Sequence, residues 1–168
     1  MDEMELRPVP DWRTIPRMLR DQAAHHPDVE VVASEDTSIT VSSLARQASE
    51  VARALMALGV NAGDRVSVWA PNTPEWVVAA YGIWDAGGII APLSTRFKGI
   101  EAGAMLRKVG AKVLFVAEGF MGTSYLDMLA EVRGTLPELE HVVVLGSAGA
   151  RDGALAWDEF LAGGSAVS

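Results

Sequence analysis

The feature that most limits what this chain can fold into is an alternation. Short runs of apolar, largely β-branched residues are separated by segments whose apolar positions recur every three or four residues. The runs are Arg65–Ala70, Ile89–Leu93, Lys112–Val116 and His141–Leu145. Along each run nearly every position is apolar, so a strand built from it buries both faces, as strands of a parallel sheet covered by helices do. Strand, helix, strand, repeated, predicts an α/β fold: a parallel sheet flanked by helices in a Rossmann-like layered subdomain, with right-handed crossovers.

The intervening segments supply the helices. Leu44, Ala48, Val51, Ala52, Leu55 and Leu58 lie on one helical stripe, with Thr40 or Ser42 to cap its start and Gly59 to end it in a left-handed conformation. Thr73-Pro74-Glu75 opens a second helix with a capping hydroxyl, a proline in the first turn and a carboxylate suited to the helix dipole. Trp76, Val77, Ala80, Tyr81 and Trp84 form its predicted apolar stripe, and Gly87-Gly88 stops it. Ile100–Val109 and Tyr125–Arg133 are further predicted helices. Upstream, Glu30–Ala33 and Thr37–Thr40 flank Ser34-Glu35-Asp36, which reads as a hairpin turn and makes a small amino-terminal β element. After Gly146, the glycines at 149, 153, 163 and 164 and the many Ala and Ser residues predict a loose tail with one short amphipathic turn over Ala156–Leu161. The division expected is therefore an α/β unit over residues 1–145 and a connection over 146–168.

Chemistry is sparse. With 22 Asp and Glu against 14 Lys and Arg, the net charge is −8, and no basic stripe offers the phosphate contacts that nucleic-acid affinity needs. The absence of cysteine excludes disulfides and thiolate metal sites. No apolar stretch approaches the ~20 residues of a membrane-spanning helix, and the acidic start is unlike a signal peptide, which predicts a cytoplasmic protein. Gly146-Ser147-Ala148-Gly149 follows a strand but departs from G-x-G-x-x-G and has no lysine after it, since the lysines are Lys98, Lys108 and Lys112. It reads as a surface loop. His25, His26 and His141 lack the spacing of metal ligands. Asp127 and Glu131 lie one helical turn apart, on what reads as a solvated polar face.

One set of motifs is distinctive. Leu58-Gly59-Val60, Gly63-Asp64-Arg65-Val66, Pro71-Asn72-Thr73-Pro74-Glu75-Trp76, Ala86-Gly87-Gly88 through Pro92-Leu93, Thr95-Arg96, Glu101 and Gly110-Ala111-Lys112 occur in this order. Together they resemble the first part of the adenylate-forming superfamily of acyl-CoA synthetases, luciferases and peptide-synthetase adenylation domains. The resemblance runs from about Ile15 to Leu161. Ser94 stands where that family usually has Asn, and Ser34–Thr40 lacks its common Asp-Gly turn. Leu114-Phe115-Val116, Gly119-Phe120-Met121-Gly122 and Trp157–Leu161 are similar to actinobacterial fatty-acid–CoA ligases, including those that activate a steroid-derived propanoate.

The resemblance implies a parent enzyme that joins a carboxylate to AMP from ATP, releases pyrophosphate, and passes the acyl group to CoA, with Mg²⁺ offsetting phosphate charge. It also implies that the lysine-bearing phosphate loop follows the equivalent of Ser168. This chain alone would then bind no nucleotide, metal or CoA and would hold no catalytic residue. Its partners would be the remainder of the synthetase and a fatty or steroid-derived acid, and an exposed lobe face would favour a homo-oligomer. Trp76 and Tyr81, on the helix that follows a strand end, are the candidate acid-binding residues. The competing role for both is to fill the helix–sheet core. The alternative for the whole chain is an independent, non-enzymatic binding or oligomerisation module derived from such a synthetase.

Overall fold

The computed structural model describes residues 11–34, 37–146 and 148–167. The chain opens with helix α1 (Ile15–His25), capped by the Thr14 hydroxyl, which accepts from Arg17 N. Strands β1 (Glu30–Ala33) and β2 (Ser38–Thr40) pair antiparallel as the predicted hairpin. The turn residues Glu35 and Asp36 lie outside the described residues. Helix α2 (Val41–Ala57) follows, capped by Thr40, whose hydroxyl accepts from Ser43 N, and Gly59 beyond it takes φ +80°.

The main sheet holds β3 (Arg65–Trp69), β4 (Ile89–Pro92), β5 (Ala111–Val116), β6 (His141–Val144) and β7 (Leu155–Ala156). The order is β4-β3-β5-β6-β7, and every pairing is parallel. Helix α3 (Pro74–Asp85) joins β3 to β4, α4 (Gly99–Val109) joins β4 to β5, and α5 (Tyr125–Ala130) lies between β5 and β6. Helix α6 (Trp157–Gly163) comes directly after β7.

Two cores flank the sheet. On one face Val66, Val68, Val113, Phe115 and Val143 meet α2, α3 and α6 through residues such as Val51, Leu55, Ile83 and Phe160. On the other, Trp69, Leu114, Val116 and Val144 meet α4 and α5 through Leu106, Tyr125 and Leu129. Successive strand residues point to opposite faces, so a strand sandwiched in this way must be apolar throughout. The exception is Ser67, buried beneath the second helical layer with no partner for its hydroxyl among the described residues.

Three expectations are corrected. The buried face of α3 is Val78, Ala79, Ala80, Gly82 and Ile83, whereas Trp76, Val77, Tyr81 and Trp84 are only half-buried. Gly82 decides this. A Cβ there would collide with the Val51 side chain, so α2 approaches along the glycine and the larger residues are displaced to the flanks. Helix α5 ends at Ala130, short of Arg133, and the chain continues as a 3₁₀ turn over Arg133–Thr135. The tail is not loose from Leu155 onward. Leu155 and Ala156 extend the sheet in register with Val143 and Val144, and α6 packs on α2. Its small residues permit that packing: a Cβ on Gly164 would stand 2.6 Å from Ala54 N.

A polar knot closes the amino edge of the sheet. Asp64 accepts from Asn61 N at 2.9 Å and from the Lys112 ammonium at 3.4 Å, and Lys112 also donates to the Gly59 carbonyl at 2.7 Å. Arg65 donates to the carbonyls of Val109 and Gly110, at 2.8 and 2.9 Å, where α4 ends. A cation there satisfies orphan carbonyls and opposes the helix dipole. The Asn61 amide and the lysine hold the Asp64 carboxyl below its usual range.

Candidate functional site

In open α/β sheets ligands lie beyond the carboxyl ends of the strands, at the point where strand order reverses. Here the chain moves from β3 outward to β4 and then back across to β5, so the reversal falls between β3 and β5. Ala70–Thr73 leave β3 at this edge, Leu93–Thr95 leave β4, and Ala117–Ser124 leave β5.

Each departure is fixed locally. The Thr73 hydroxyl accepts from Trp76 N and starts α3 at the edge. Trp69, at the last position of β3, is fully buried; its indole N–H donates to the Ser94 carbonyl at 3.0 Å, and its ring stands edge-on to Tyr125 at 4.8 Å. Burial pushes the Tyr125 hydroxyl above its ordinary pKa. The Ser94 hydroxyl accepts from Arg96 N, a local turn that a short side chain makes readily.

A dense polar cluster among the described residues of the edge follows β5. Glu118, only 15% exposed, accepts from the Ser124 hydroxyl at 2.7 Å and from Leu126 N at 3.0 Å. Arg151, from the connection between β6 and β7, reaches Glu118 at 3.3 Å, Ser124 at 2.6 Å, Asp127 at 2.7 Å and Asp152 at 2.6 Å. The Arg151 hydrogen bond, then that of Ser124, holds the Asp127 carboxyl below its usual value of 3.8. Its folded pKa is depressed, so the stabilisation is complete above the unfolded value and is lost as pH falls through the folded one. We therefore expect Arg151→Met to melt below the parent at about pH 7, with the difference shrinking towards about pH 3 and in high salt. Thermal midpoints across that range check this; a difference independent of pH and salt would mean that Arg151 acts through packing alone.

Trp76 and Tyr81 do not converge. Five residues apart on α3, they point about 140° from each other around the helix. Trp76 sits in the first turn, at the carboxyl edge, half-buried against the core. Tyr81 lines a groove of about 250 Å³ with Met18, Val29, Val31 and Leu44, and its ring stands edge-on to Trp84 at 5.3 Å. Asp127 belongs to the Arg151 cluster, while Glu131 is exposed. His25 and His26 are exposed at the end of α1, and His141 is half-buried at the start of β6. The Glu118–Ser124–Arg151 cluster escapes sequence reasoning because its members lie up to 33 residues apart.

Among the described residues no group of three His, Asp or Glu side chains could hold a metal. The turn at Gly146 leads to β7 and not to a lysine-bearing helix, and Lys112 is engaged at the opposite edge.

Comparison with known proteins identifies the lineage. The family model for AMP-binding enzymes matches residues 19–164, most of the chain. The chain belongs to the AMP-binding enzyme family. It is 41% identical over 155 residues to the 3-[(3aS,4S,7aS)-7a-methyl-1,5-dioxo-octahydro-1H-inden-4-yl]propanoyl:CoA ligase of Mycobacterium tuberculosis, covering 92% of this chain and 30% of that protein. It is 36% identical over 151 residues to the ligase of the same name from Rhodococcus jostii, covering 89% of this chain and 29% of that one. Among solved structures, the AMP-binding fold of the anthranilate CoA ligase AuaEII, in complex with anthranoyl-AMP, superposes with a TM-score of 0.79 at 28% identity, covering 92% of this chain and 28% of that one. This AMP-binding family member thus spans about 30% of the length of the curated relatives it matches.

Proposed function

We propose that these 168 residues are the amino-terminal scaffold of an ATP-dependent acyl-CoA ligase and that they do not form acyl-adenylate by themselves. The observation that carries this reading is the family match over residues 19–164 in a chain that spans about 30% of the length of the relatives it matches. The parent ligase would use ATP, Mg²⁺ and CoA, with the groups that hold them supplied by the remainder of its chain, in the cytoplasm. Its acid would be a fused-ring, steroid-derived propanoate, a proposal supported by the two relatives at 41% and 36% identity. Of the two candidate residues, Trp76 is the one proposed to border the acid, because it sits at the edge.

Mixing the purified chain with ATP, Mg²⁺, CoA and a bicyclic propanoate should release no pyrophosphate. Pyrophosphate release above a protein-free control would sink the proposed inertness. The reading frame after codon 168 supplies a second test: a Gly-, Ser- and Thr-rich segment bearing a lysine is expected there. A stop codon in its place would favour a separate binding module.

A further inference from the structure

The turn between β5 and α5 is constructed with more care than a connection requires. Gly119 (φ +81°), Met121 (φ +52°) and Gly122 (φ +71°) all adopt the left-handed conformation. A residue with a Cβ adopts it only at a cost. Four backbone hydrogen bonds lock the turn: Gly119 N to Thr123 O, Gly122 N to Gly119 O, Thr123 N to Phe120 O and Phe120 N to Ala117 O. Side chains close its base, since Glu118 and Ser124 meet across it at 2.7 Å and Arg151 pins both. What this frame displays is apolar: Phe120 is 36% and Met121 85% exposed. Asn or Gly at 121 would suit this backbone better, and the methionine is largely uncovered by the described residues.

Position narrows the role. The turn leaves β5 at the carboxyl edge, beside the β3/β5 reversal where sheets of this type hold ligands. We propose that Phe120 and Met121 form an apolar wall against which the non-reacting ring body of the acid packs, making this turn a specificity element. The proposal rests on the ligase reading above and adds the surface that discriminates a ring-bearing acid from a short one. Methionine, flexible and polarizable, suits an irregular apolar ligand.

The test needs neither nucleotide nor turnover. The chain carrying ¹³C-methyl methionine is titrated with indane-4-propanoate and, separately, with propanoate, which has the same carboxylate and no ring. The Met121 methyl resonance should move saturably with the ring acid and far less with propanoate. Met121→Asn, which keeps the left-handed turn, should weaken ring-acid binding roughly ten-fold, and Met121→Leu should retain it. No saturable shift at Met121, equal shifts with both acids, or unchanged affinity in the Asn variant would overturn the proposal. So would a shift that follows protein concentration, which would make the turn a contact between copies. Any of these leaves the ligase reading standing, because that reading fails on the reading frame and on pyrophosphate release.

Discussion

Trp69→Ala is expected to lower stability by about 4 kcal/mol, the range for removing a large aromatic side chain from a packed core. The indole is fully buried, donates to the Ser94 carbonyl at 3.0 Å and meets Tyr125 edge-on at 4.8 Å. Alanine therefore loses apolar burial, a hydrogen bond and an aromatic pair together. In a domain whose whole stability is ~5–15 kcal/mol, that is a large share, equivalent to roughly 12 °C in thermal midpoint. Trp69→Phe separates the contributions. It keeps most of the ring and leaves the Ser94 carbonyl without its donor, so about 1–2 kcal/mol is expected. Urea titration of both variants measures the difference; a Trp69→Ala loss below about 1 kcal/mol would show that the second core does not depend on the indole.

The second large effect is expected at Phe160. Its ring packs against Phe115 at 5.4 Å and Trp157 at 5.6 Å, and Phe115 and Trp157 themselves lie 6.0 Å apart. Phe160→Ala should cost about 3–5 kcal/mol and selectively expose the amides of α6 to hydrogen exchange. Were residues 155–167 a loose appendage, the same change would cost under about 0.5 kcal/mol, as at a surface position. The measurement therefore decides whether the carboxyl segment is structural.

The strands and the helices between them were legible because two-sided burial leaves its mark on every residue of a run such as Val66–Trp69 or Val113–Val116. Caps at Thr40 and Thr73 were legible because the hydroxyl acts within three residues of its own position. The buried face of α3 was not, because the decisive residue, Gly82, contributes an absence of side chain and carries no hydropathy signal. Strand β7 was missed for a related reason: two residues, Leu155 and Ala156, are too short to show a period, and the sheet edge beside β6 recruits them. Nothing local to Glu118 announces that Arg151 will reach it. Of the candidate site, the sequence points to the strand ends but not to the cluster that spans them.

Two of the motifs by which the lineage is recognised, Gly63-Asp64-Arg65 and Ala111-Lys112, fasten the end of the sheet remote from where ligands gather. In these two, ancestry is written at the pole opposite the candidate site. A descendant could exchange its substrate wholesale, or abandon reaction altogether, without disturbing these two marks of its parentage. Kinship detected through them certifies that such a chain folds; what it handles must be sought across the sheet.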